Sequence, residues 1–149
     1  MNTNRIEKKI ALKAPHSRVW RALTDHKQFG TWFHVALKGP FVAGKTTNGR
    51  LTHPGFKHPI AFMVRKIEPM TYFAYAWHPY AIEEGVDYSK EEPTLVEFRL
   101  KETARGTQLT VTETGFDKVP AGRRAEAFKM HKGGWKAQLE NIAGYVAKA

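Results

Sequence analysis

Apolar residues recur along this chain with two different periods, and the change of period marks its elements. Residues 5–12, RIEKKIAL, alternate: Ile6, Ile10 and Leu12 fall on one side, Glu7 and Lys9 on the other. Side chains of a strand point to its two faces in turn, so this is a half-buried strand, with Lys8 the exception on its apolar side. From Pro15 the period lengthens. Val19, Trp20 and Leu23 share one side of a helix, Thr24-Asp25 through Gly30 breaks it, and a short turn carries Phe29, Trp32 and Phe33. The expectation is two brief helices joined by a kink.

Turn residues then punctuate the chain at strand-like intervals. VALKG (Val35 to Gly39) and NGRLTH (Asn48 to His53) read as a strand pair, Ile60 to Ile67 as a strand closed by Glu68-Pro69, and Tyr72 to His78 as another ending at Pro79. A loop rich in acidic and turn residues occupies Ala81 to Pro93. In Thr94 to Lys101, Val96, Phe98 and Leu100 face in while Glu97, Arg99 and Lys101 face out. In Thr107 to Thr114, Leu109 and Val111 face in and the threonines are assigned to the outside, with Arg105-Gly106 making a tight hairpin between the two strands.

The last segment, Pro120 to Lys148, returns to the helical period. Phe128, Trp135, Leu139, Ile142 and Val146 lie on one stripe, and Lys129, Lys132, Lys136 and Glu140 lie mostly off it. At ~1.5 Å per residue this helix is about 40 Å long and needs a broad apolar surface to lie on. Strands in a run with helices segregated from them mean an α+β fold.

Composition narrows the class. A chain of 149 residues with 42% hydrophobic and 12% aromatic residues is expected to be one domain with a substantial core. It contains no cysteine, which removes disulfides, thiolate catalysis and thiolate metal sites. The N-terminus has no apolar core of a signal peptide and no apolar run approaches a membrane span, so a cytoplasmic protein is expected. The net charge of +10 is dispersed, with no basic block beyond paired residues, and reads as solubility in preference to nucleic-acid binding.

Few residues carry candidate chemistry. Glu113 continues the inward parity of Leu109 and Val111, which aims a carboxylate at the interior as a polar anchor or proton-transfer group. Alternatively, Gly115 marks a strand end and Glu113 reaches solvent or a structural arginine. His78 and Tyr80, in WHPY at a strand end, are placed to frame a pocket mouth or else to be surface residues beside packed aromatics. His53, in a second His-Pro corner, has no direction that the sequence sets. The seven histidines have no metal-binding spacing, and no phosphate loop, dinucleotide fingerprint or nucleophilic serine context is present, so neither metal nor cofactor is expected. Gly133-Gly134 inside the terminal helix either lets it bend or makes room beside it.

Taken together, RIEKKIALKAPHSRVWRALTDHKQFGTWF, WHPY, LVEFRL, TQLTVTETGF and the final GGW…L…I…V helix resemble the START-like, helix-grip superfamily, also called the SRPBCC or Bet v-like group. Within it the chain is most similar to bacterial homologues of the activator of the ninety-kilodalton heat-shock protein ATPase, over Arg5 to Val146. The resemblance implies a curved antiparallel sheet of about seven strands wrapped around the C-terminal helix, with two short helices after strand 1 and an apolar cavity between sheet and helix. It implies Trp32, Phe33, Trp77, Val96, Phe98, Phe128 and Trp135 as cavity-wall residues. The expected function is binding of a small, largely apolar ligand (lipid, aromatic or polyketide-like) there, with Glu113, His78 or Tyr80 as polar anchors. The alternatives are a cyclase- or hydrolase-like enzyme using Glu113 or a cavity histidine, and a co-chaperone-type module with a protein partner.

Overall fold

The computed structural model describes residues 4–52, 58–79 and 90–148. Strand β1 (Arg5–Leu12) is followed by helices α1 (His16–Thr24) and α2 (His26–Phe33). Strands β2 (Val35–Leu37), β3 (Thr46–Leu51), β4 (Pro59–Glu68), β5 (Tyr72–Trp77), β6 (Thr94–Thr103) and β7 (Gly106–Thr114) come next. A single 3₁₀ turn, Phe116–Lys118, leads into the 26-residue helix α3 (Ala121–Val146).

The seven strands form one antiparallel sheet in the order β1-β7-β6-β5-β4-β3-β2. Strands β2 to β7 are a meander, and β1 closes the far edge beside β7. The α1–α2 pair therefore carries the chain from one edge of the sheet to the other. This is the α+β class expected from the pattern and the helix-grip architecture that the resemblance implies, with α3 held against the sheet's inner face.

Local chemistry explains most boundaries. Asp25 ends α1 and also caps α2, its carboxylate accepting from the amides of Lys27 (2.9 Å) and Gln28 (3.3 Å). The break between the helices is therefore one residue wide. Gly30, expected as part of the break, lies within α2, and glycine is needed there because a Cβ would stand 2.5 Å from the Val35 carbonyl oxygen. Register in the β4–β5 pair shifts between Val64 and Lys66, a bulge that turns Ile67 to the side where Phe62 and Val64 lie. The β6–β7 turn consists of Ala104-Arg105, with Gly106 already paired to Thr103.

One facing assignment is corrected. Thr107 shares the parity of Leu109 and Val111, is buried, and donates to the Ala14 carbonyl at 2.9 Å. The other β7 threonines, at 110, 112 and 114, keep the outward parity. On α3 the buried stripe is Ala127, Trp135, Leu139, Ile142 and Val146, while Phe128 is half-buried against Phe116. Arg18 of α1 completes the far end of α3: its guanidinium donates to the carbonyls of Tyr145 and Val146 in the last turn and of Lys148 just beyond it.

Candidate functional site

Glu113 organises the interior between sheet and helix. Gly115 takes a left-handed φ of 100° and ends the strand, but two residues too late to turn Glu113 outward. The carboxylate is completely buried. Its Oε1 accepts from the indole N–H of Trp135 at 2.8 Å and lies 2.7 Å from Nδ1 of His131. Its Oε2 accepts from the indole N–H of Trp77 at 2.8 Å and from the Thr94 hydroxyl at 2.5 Å. An ionised carboxylate offers about four lone-pair sites, and all four are used.

Burial raises the Glu113 carboxyl, but the charge of His131 and the hydrogen bonds from His131, Thr94 and Trp77 outweigh it and hold the group below its ordinary value. Burial likewise lowers His131, and the Glu113 charge and hydrogen bond, with a further bond to the Pro79 backbone, outweigh it and raise it. Ionised Glu113 can only accept, so Nδ1 of His131 donates to it. The result is a buried ion pair that ties β5, β6, β7 and α3 at one point.

The two tryptophans so tethered turn their only polar atoms inward to Glu113. Their rings stack at 5.7 Å between centroids and present aromatic carbon to a cleft of about 1040 Å³. One wall is the inner face of β2–β4, with Leu37, Gly49, Leu51 and Ile60. The other is α3, with Met130, His131, Gly134, Ala137, Gln138 and Asn141. Phe33 and Trp77, with ring centroids 5.9 Å apart, meet Trp135 at the inner end of the cleft, and His78 and Pro79 also line it. Gln138 ties α3 to the end of α2 by donating to the Phe33 carbonyl at 3.1 Å, and its own oxygen accepts from Asn141 at 3.1 Å.

Of the residues singled out in the sequence, Phe33, Trp77, His78 and Trp135 line this cleft, and Glu113 lies behind it. The imidazole of His78 meets the Glu91 carbonyl at 2.9 Å. Trp32, Val96, Phe98 and Phe128 are not among the described lining residues. Trp32 donates to the Ala22 carbonyl at 2.7 Å and locks α2 to α1. Val96 and Phe98 are wholly buried on β6, Phe98 with its ring 5.7 Å from Trp135. Tyr80 and His53 lie outside the described residues. His131 was not singled out, although it stands one helical turn before Trp135 and so shares its face.

Gly134 is exposed to the cleft, and a Cβ built on it meets nothing within 4 Å; the same holds for Gly133, which does not line it. The helix runs unbroken through both. Gly134→Ala is expected to raise stability by about 1 kcal/mol, the ordinary helix-propensity difference, as read by urea denaturation. A loss instead would mean that the backbone there is strained.

Among the described residues, no group of three or more histidines and acids could hold a metal ion, and no helix is long and apolar enough to cross a membrane.

Residues 13–147 match the family described as Activator of Hsp90 ATPase homolog 1-like protein. The chain belongs to that family. No curated protein matches the sequence. Several solved structures share the fold. A structural-genomics protein from Mesorhizobium loti superposes with a TM-score of 0.77 at 19% identity, covering 97% of this chain and 98% of that one. The Aha1 protein of Colwellia psychrerythraea, solved as a dimer in solution, gives 0.73 at 18%, with 95% of each chain covered. DynU16, from the dynemicin biosynthetic locus, gives 0.72 at 22%, covering 97% of this chain but 48% of that one.

Proposed function

We propose that the cleft between β2–β4 and α3 holds a small, largely apolar molecule. The observation that carries this reading is the disposition of Trp77 and Trp135: each N–H is bound to Glu113, leaving the floor of the cleft aromatic. Such a surface gains free energy by being covered, at ~25 cal/mol per Å² removed from water. The lining also supplies polar groups that can orient a ligand, among them Gln138, Asn141, His78, Asn48, Lys38 and Arg50.

The same geometry argues against acid–base chemistry at Glu113. A general base needs a vacant lone pair facing the substrate, and all of its sites are occupied. His131 faces the cleft with its Nδ1 held by Glu113. Glu113 serves the binding reading by fixing the two tryptophans of the cleft.

The test is a titration of ¹⁵N-labelled protein with flavonoids, fatty acids, sterols and aromatic acids. The four tryptophans give one indole signal each. Saturable shifts are expected at the indoles of Trp77 and Trp135 and at the Gly134 amide, while the Trp32 indole, bonded to Ala22 on the far side of α2, stays still. If no compound moves the first two indoles, the cleft is packing space and the reading fails.

A further inference from the structure

The inner end of the cleft is walled by Phe33, Trp77 and Trp135, and one ring behind that wall stands Tyr75. Its ring centroid is 5.1 Å from Trp77 and 4.9 Å from Phe62. Phe73 and Phe98 enclose it further, at 5.7 and 6.1 Å. The residue is fully buried, and its hydroxyl has no hydrogen-bond partner among the described residues. Gln28, the other described residue with such an atom, is half-buried on α2 and so closer to water.

A buried hydroxyl without a partner is uncommon because it sacrifices its hydration for nothing. A phenylalanine of nearly the same shape would fill this place among aromatic rings without that loss. Burial, with the nearby charge of Glu113, pushes the phenol well above its ordinary range, so it stays a neutral O–H donor. What it lacks is an acceptor. A carboxylate is a poor candidate, since it would have to be desolvated among aromatic rings near the negative charge of Glu113.

We propose that Tyr75 is the inner anchor of the cleft and donates its hydroxyl proton to a neutral carbonyl oxygen at the tip of an otherwise apolar ligand. This rests on the cleft-binding reading above and adds to it a ligand class: aromatic or alkyl ketones, quinones and esters. The tip enters between Phe33 and Trp77, whose centroids are 5.9 Å apart. Trp77 is tethered to Glu113, so Phe33, which carries no polar tether, is the ring that turns aside.

The experiment compares wild type and Tyr75→Phe with three probes: 2-acetylnaphthalene, its hydrocarbon isostere 2-isopropenylnaphthalene, and 2-naphthoate. Affinities are read from tryptophan fluorescence, and melting temperatures are taken without ligand. Wild type is expected to bind the ketone about ten-fold more tightly than the hydrocarbon, the worth of one buried hydrogen bond, and to bind naphthoate more weakly than the ketone. Tyr75→Phe is expected to bind ketone and hydrocarbon equally, and to melt at a higher temperature than wild type. If wild type binds ketone and hydrocarbon alike, the anchor is overturned while the cleft stands. If none of the three binds at its solubility limit, the cleft reading falls and takes the anchor with it. A lower melting temperature for Tyr75→Phe would mean that the hydroxyl already has a partner, which also overturns the proposal.

Discussion

Glu113→Gln is expected to lower the free energy of unfolding by about 3–5 kcal/mol, although the substitution changes hardly any volume. The amide keeps one acceptor oxygen and replaces the other with an NH₂ group. Four groups now donate to the carboxylate: two indoles, a hydroxyl and an imidazolium. An amide nitrogen turned to either pair sets donor against donor, and His131 is left as an uncompensated buried cation. Urea denaturation reads the loss directly; a change under 1 kcal/mol would mean that the pair is not ionised in the folded protein.

The pH dependence of that loss has a definite sign. The Glu113 carboxyl lies below its ordinary 4.5 in the folded state, so its contribution is present above 4.5 and is lost as pH falls through the lowered value. His131 lies above its ordinary 6.5, so its contribution is present below 6.5 and is lost as pH rises through the raised value. The stability difference between wild type and Glu113→Gln should therefore be greatest between about pH 4.5 and 6.5 and shrink on both sides. A difference that stays flat from well below pH 4.5 to well above pH 6.5 would show that the pair does not titrate with unfolding.

Trp135→Ala is the second large effect. Trp135 is buried on α3, stacks on Trp77 and meets Phe33 and Phe98 at 6.4 and 5.7 Å. Truncating a core aromatic costs ~3–5 kcal/mol, depending on how far the surroundings collapse. Here the cavity would open into the cleft, and Oε1 of Glu113 would lose one donor. Trp135→Phe separates the two contributions, because it keeps most of the ring contacts and removes only the hydrogen bond, at about 1.5–3 kcal/mol for a charged acceptor. Equal losses in the two variants would assign the effect to the bond; a negligible loss in Trp135→Ala would put the residue outside the core.

Much of this site could be read before the fold. Alternation along β7 aimed Glu113 inward, and the helical stripe of α3 put Trp135 on the buried face. Both are consequences of backbone geometry alone, since a period of two or of 3.6 follows from the chain's own dihedral angles. His131 was harder to find. A polar residue one turn before a buried tryptophan is ordinarily solvated, and only its meeting with Glu113, 18 residues earlier in the chain, makes it part of the interior. Tyr75 is harder still, because sequence shows that a tyrosine faces inward but not whether its hydroxyl finds a partner there.

By itself, then, the sequence determined most of the elements, most of their inward faces and the α+β order, because the two periods are set by the chain's own backbone geometry. Tertiary structure decided which inward residues line a cleft and which are sealed in the core. Trp32 and Trp77 look alike in the sequence. One is spent locking α2 to α1 through Ala22, while the other has its N–H drawn to Glu113 and one face left to the cleft. That difference arises where β5, β7 and α3 converge, and hydrogen bonds between distant segments have no periodicity in sequence to announce them.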